Sequence, residues 1–281
     1  MAMTYGIENE CLRVSINQLG AELVSIWSKT RHEELLWQGE AWQGRAPILF
    51  PIVGNLPNGQ YQAKGQTYAL PRHGFARNSR FELRTHDSQR VVLGLRDSEQ
   101  SRLVYPYCFD LSVSYTLDKD TVKVRFDVVN DQEEALLFSL GFHPAFSVSH
   151  DVDLIFEDSP QHYCYGNQGF VDFVSQPHLD MGLSLSLSDV DFSRGAIYIR
   201  EPQAQCIVVN DGMKALGLSF PDVPYLVIWK KPACEFICIE PCFGITAPSS
   251  QDTLLALTDK PGIIRLASGE RFTTVNEIKL M

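Results

Sequence analysis

Alternation of apolar and polar side chains with a period of two dominates this chain and restricts its fold more than any other feature. In Val122-Lys123-Val124-Arg125-Phe126-Asp127-Val128 every second residue is apolar and every residue between is charged. Successive side chains of a strand point to opposite faces, so such a run buries one face and wets the other. Tyr5–Ile16, Ala21–Trp27, Arg90–Leu95, Phe109–Leu117, Thr121–Val129, Leu136–Leu140, Ala196–Arg200, Gln205–Val209 and Leu226–Trp229 all read as strands. Asp118-Lys119-Asp120 separates two of them as a hairpin turn. No long 3.6-residue stripe accompanies them; Asp97–Leu103 and Glu33–Trp37 are predicted to form a helical turn or two at most. Many strands, few short helices and no Pro/Gly/Ser-rich linker predict an all-β fold. The expected form is one large antiparallel two-sheet β-sandwich spanning residues 1–281.

Composition narrows the function classes. The 281 residues are 44% hydrophobic and 21% charged, which is ordinary for a folded chain with a large core. A formal net charge of −10 argues against nucleic acid or an anionic membrane as partner. No apolar run approaches the ~20 residues that span a bilayer, and Met1–Leu12 lacks the pattern of a signal peptide. Cytoplasm is the expected compartment, in keeping with seven scattered cysteines. Three of these, Cys234, Cys238 and Cys242, recur every four residues. On a strand that spacing sets successive thiols about 13 Å apart, too far to share one ion, and they read as small buried hydrophobes.

Four stretches break the strand rhythm. They are Gly44–Asn55, Leu70–Arg77, Ser139–Phe146 and Cys234–Gly244. The last is an apolar strand running into Glu240, where Pro241 removes a backbone donor. A carboxylate there is either a paired structural charge or a functional acid/base whose pKa burial would raise. His73 and His143 each sit beside Gly or Pro with an aromatic residue within two positions, whereas His32, His86, His150, His162 and His178 lie in polar surroundings and read as surface. The set His73, His143 and Glu240 admits a two-His-one-carboxylate metal site, although no short His-x-His or His-x-x-x-His pair supports one. It also admits acid/base proton transfer across a small polar substrate. A nucleophilic triad lacks its nucleophile, since no Gly-x-Ser-x-Gly elbow occurs, and no Walker loop or Gly-x-Gly-x-x-Gly supports nucleotide chemistry.

Taken in order, Arg-Ala-Pro-Ile-Leu-Phe-Pro-Ile-Val-Gly (45–54), Arg-His-Gly-Phe-Ala-Arg (72–77), Gly-Phe-His-Pro-Ala-Phe (141–146) and Ile-Glu-Pro-Cys-Phe-Gly (239–244) resemble the aldose 1-epimerases, in their galactose-mutarotase-related, LacX-like branch. The resemblance covers nearly the whole chain. It implies the family's antiparallel supersandwich and interconversion of the α and β anomers of an aldose such as galactose or glucose, with no metal and no organic cofactor. It implies that Glu240 is the general base on the anomeric hydroxyl, that His143 is the general acid on the ring oxygen and that His73 polarises sugar oxygens. Arg45 and Arg77 are expected to donate hydrogen bonds to sugar hydroxyls, and Trp229 or Phe243 to face the C–H groups of the ring. Asn55 belongs to the expected substrate contacts, at a position where related sequences commonly carry a basic residue. Gly195 stands where they tend to carry an aspartate. The expected partner is a small sugar, bound by a monomer or homodimer. A non-catalytic sugar-binding protein and a hexose-phosphate mutarotase are the alternatives.

Overall fold

The structure, a computed structural model, describes residues 3–149, 151–156, 161–220, 223–248 and 254–281; His150 lies outside them. Among these residues two large sheets carry most of the strands. The nine-stranded sheet runs Ser184–Ser186, Val152–Ile155, Gln205–Asn210, Met213–Ser219, Arg271–Leu280, Thr121–Val129, Asp110–Asp118, Arg90–Arg96 and Glu82–His86. The second sheet has at its centre Ile197–Arg200, Tyr225–Trp229, Phe236–Phe243 and Leu140–Phe142, with Ala145–Ser147 also paired to Phe236–Phe243. Among the described residues the strands named pair antiparallel, apart from Leu255–Ala256, which runs parallel to Tyr61–Gln62; the isolated bridge Phe50–Gly74 is also parallel. The alternation is realised in part of Thr121–Val129: Val122, Val124, Phe126 and Val128 are buried and Arg125 is exposed, but Lys123 is half-buried and Asp127 is buried beneath Arg125 and Thr273, which donate to its carboxylate. Asp118 pairs Thr121 across a two-residue turn, in which Lys119 takes φ +54°.

Several boundaries differ from those the pattern suggests, each for a local reason. Tyr5–Ile16 is two strands, Thr4–Glu8 and Leu12–Asn17, because the Asn9 side chain accepts from the amides of Cys11 and Leu12 and turns the chain. Leu136–Leu140 divides at Ser139, whose amide leaves the ladder and donates to the Pro51 carbonyl. Glu33–Trp37 makes no helical turn. Glu33–Glu34 is a short strand paired with Trp27–Ser28, and the Glu34 carboxylate accepts from the amides of Ile26 and Leu36, which holds the segment extended along that neighbour. Glu99–Arg102 does form a turn of α-helix, capped reciprocally by Ser98 and Ser101. No helix is long and apolar enough to cross a membrane among the described residues.

Register is what places the chemistry. Gly141 pairs with Cys242 and Ala145 with Cys238, so His143 falls opposite Glu240 on the neighbouring strand. The ladder opens between those pairs, where Pro144 has no amide to give. Inserting one residue on either side would send one of the two side chains to the other face of the sheet.

Candidate active site

Glu240 and His143 meet in a buried contact. The imidazole Nε2 lies 3.2 Å from the Glu240 Oε1, and both side chains are under 10% exposed. Burial pushes the Glu240 carboxyl up to about 8, against a smaller downward pull from Arg72. Burial drives the His143 imidazole down to about 3, with Arg72 adding to the effect. The resting pair is therefore a neutral carboxylic acid against a neutral imidazole. That form carries the same single mobile proton as the carboxylate–imidazolium pair, its tautomer. Trp42 stacks on His143 with centroids 5.0 Å apart and planes at 26°, while Trp229 meets it edge-on at 6.2 Å.

Next to the pair lies a cavity of about 230 Å³. Glu240, His143 and His73 line it, together with Arg72, Arg77, Tyr198, Trp42 and Trp229. That is below the ~300–1,000 Å³ typical of drug-sized ligands and suits a single small polar ring. His73 sits in a left-handed backbone conformation, φ +68°, that a histidine adopts only when its surroundings hold it there. Here its amide donates to the Gly54 carbonyl and the Gly54 amide donates back to Nδ1, both at 3.0 Å. The Arg72 Nε–H points at Nε2, also from 3.0 Å. A neutral ring has one acceptor nitrogen, so it accepts from either the Gly54 amide or the Arg72 guanidinium and carries its proton on the other nitrogen. Burial and the positive charges of Arg72 and Arg77 hold the His73 imidazole well below its ordinary value, so it is a donor without charge.

Gly54 and Gly74 make this corner possible. Both have positive φ; a Cβ on Gly54 would lie 2.4 Å from Thr246, and one on Gly74 would lie 2.3 Å from the Phe50 carbonyl oxygen. Thr246 accepts from the Asn55 amide and donates to the Gly169 carbonyl, which brings Gly169 to the cavity wall.

The structure brings together five of the eight expected residues: Glu240, His143, His73, Arg77 and Trp229. Arg45, Asn55 and Phe243 do not line the cavity. The Arg45 guanidinium instead donates to the carbonyls of Gln38, Trp42 and Gly44, clasping the loop that carries Trp42. The Asn55 side chain donates to the Gly169 carbonyl. Phe243 packs edge-on against Phe272 at 4.9 Å, within the core. Three other groups line the cavity. Arg72, inside the 72–77 motif, reads in the sequence only as a basic residue that a sugar phosphate would want, and Tyr198, in the strand Ala196–Arg200, carries no pattern of its own. Trp42 lies in an exposed loop whose repeated Trp-Gln-Gly (37–39 and 42–44) was the available signal. Lys260 is a further surprise: fully buried, it donates to the carbonyls of Val53 and Ile245, clipping together the segments that bear Gly54 and Thr246, and burial holds its ammonium down to about 7.

Comparison with known proteins now decides the family. The sequence model described as Aldose 1-epimerase matches residues 3–244. The chain belongs to the aldose 1-epimerase family. Protein LacX of Lactococcus lactis subsp. lactis is 31% identical over 286 residues, covering 94% of this chain and 95% of the relative. The galactose mutarotase related enzyme from Lactobacillus acidophilus superposes with a TM-score of 0.93 at 30% identity, covering 99% of this chain and 97% of that one. A Salmonella typhimurium protein provisionally named a glucose-6-phosphate 1-epimerase is 26% identical over 262 residues, covering 86% of this chain and 83% of the relative. The aldose 1-epimerase relatives thus agree with the sandwich architecture found here.

Proposed function

We propose that this protein is a mutarotase that interconverts the anomers of a free hexose such as galactose or glucose. The observation that carries the proposal is the buried Glu240–His143 contact at 3.2 Å, opening onto a cavity the size of one sugar ring. In the carboxylate–imidazolium tautomer, Glu240 takes the proton of the O1 hydroxyl while His143 gives one to the ring oxygen. The C1–O5 bond breaks as C1=O1 forms. Rotation about C1–C2 and reclosure on the other face return both protons, with the roles reversed. O1 and the ring oxygen share one carbon, so two groups in direct contact can serve both. Arg72, Arg77 and His73 line the cavity and would bond sugar oxygens, and the flat faces of Trp42 and Trp229 suit the C–H side of a pyranose. No cofactor is needed, since each proton that leaves is returned.

Two guanidiniums at the cavity, Arg72 and Arg77, favour a second reading, in which the sugar carries a phosphate. Anomer exchange measured by NMR across galactose, glucose and their 6-phosphates separates the two. The leading reading expects the free sugars to be exchanged faster than the uncatalysed rate and at least as well as the phosphates. Binding of sugar by calorimetry with no acceleration of any of them would instead mark a non-catalytic binding protein.

A further inference from the structure

The strand that carries Glu240 also carries Cys238, two residues earlier and therefore on the same face. One ligand atom from each of His143, Cys238 and Glu240 lies within 4.8 Å of the others, and all three side chains are buried. Nothing in the proton-transfer chemistry uses the thiol. We propose that these three residues form an inhibitory site for a thiophilic divalent cation of the Zn²⁺ class, which takes the place of the proton shared by Glu240 and His143.

The donor chemistry points to that class. One imidazole nitrogen, one sulfur and one carboxylate oxygen suit zinc, whereas magnesium and calcium call for oxygen alone. The 3.2 Å between Nε2 and Oε1 is close to the separation of two ligands each about 2.0–2.2 Å from a tetrahedral ion. His143 and Glu240 face the cavity, so the fourth position is open to water. The residues around the thiol are apolar: Ala145 and Phe236 pack with it, and Trp37, Trp42 and Trp229 close over that cluster. Such a shell keeps water from the sulfur side and leaves the cavity side as the open position. On binding, the thiol proton and the proton of the carboxyl–imidazole pair both pass to solvent, leaving thiolate, carboxylate and neutral imidazole as ligands. Arg72 faces the same cavity and opposes the ion's charge, which makes the site weaker than a structural zinc centre of four protein ligands. His73 does not belong to the donor group.

That metal binding silences exchange rests on the mutarotase reading; that the metal binds does not. Titration of the full chain with Co²⁺ tests binding alone. The expected result is one equivalent bound with a thiolate-to-cobalt charge-transfer band, displaced by Zn²⁺. Cys238→Ala should lose the band while keeping its circular dichroism and its anomer exchange, and should need at least about tenfold more Zn²⁺ for half-inhibition. Cys238→Ser, which keeps a polar atom at the same place, serves if the alanine variant does not fold. No charge-transfer band in the wild-type protein, or a band and a Zn²⁺ sensitivity unchanged in the Cys238 variants, would overturn the proposal. A band that vanishes in the Cys238 variants of a protein without exchange activity would support the metal site and count against the mutarotase reading.

Discussion

At the scale of single residues, the chemistry depends on how burial splits two ordinary side chains. Glu240 and His143 together gain a second proton only near pH 3 and lose their last near pH 8. A bell-shaped profile of kcat/KM for anomer exchange is therefore expected, with its basic limb near pH 8; a profile that keeps rising past pH 9 would contradict this assignment. Stability gives an independent check. The folded carboxyl titrates at about 8, against 4.5 for an ordinary glutamate. Its contribution is thus fully present below pH 4.5 and is lost as the pH rises through 8. His143 works in the opposite sense, adding stability as the pH rises from 3 to 6.5, and has no effect beyond that window. Between pH 6.5 and 8 the carboxyl is the only member of the pair that acts. Across that window Glu240→Gln should gain stability over the wild type by up to about 1.4 kcal/mol per pH unit, read from urea unfolding. A difference that stays flat would mean that the folded carboxyl is already ionised. Little of this was legible in the sequence. A glutamate before a proline announces a strand end, but its burial depends on cavity neighbours such as Trp42, His73 and Tyr198, which lie far from it along the chain.

Elements bring those residues together, and two of them do so by different means. The strand Phe236–Phe243 and the interrupted pair Leu140–Phe142 and Ala145–Ser147 place His143 against Glu240 through register alone. Both motifs stood out in the sequence as broken strands, but their pairing and register are visible only in the structure. The loop 38–44 works through a clasp. Arg45 fixes three of its carbonyls, the Trp37 indole donates to the Trp42 carbonyl, and Trp42 is thereby laid on His143. Arg45→Ala frees three charged hydrogen bonds and is expected to lower kcat about tenfold to a hundredfold. If the arginine acts through the indole, Trp42→Ala should cost a similar amount and the double variant little more than the worse single one. Additive losses would instead return Arg45 to direct sugar contact. Its misplacement at the sequence level has a plain cause. An arginine beside a motif rich in Pro and Gly looks the same whether it donates to a sugar or to backbone carbonyls, and only the path of the loop distinguishes the two.

For the whole molecule, period-two alternation was enough to predict an all-β chain, because a buried face and a wet face are what a sandwich demands of each strand. The long C-terminal strand Arg271–Leu280 was overlooked because its outer part, Arg271-Phe272-Thr273-Thr274, mixes polarity on both faces. Its register against Thr121–Val129 sets polar Thr274 opposite Phe126 and Asn276 opposite Val124 on the covered side. The two sheets form a frame on which four irregular segments converge at one cavity, and Lys260 holds two of those segments from behind. On the mutarotase reading proposed above, this convergence exchanges protons with a sugar. Two-dimensional exchange NMR on galactose and glucose tests it most directly, comparing wild-type protein with Glu240→Gln at pH 7. The expected result is α/β exchange far above the spontaneous rate in the wild type and a return to the spontaneous rate in the variant, with its fold intact by circular dichroism. Exchange that continues undiminished in Glu240→Gln would contradict it.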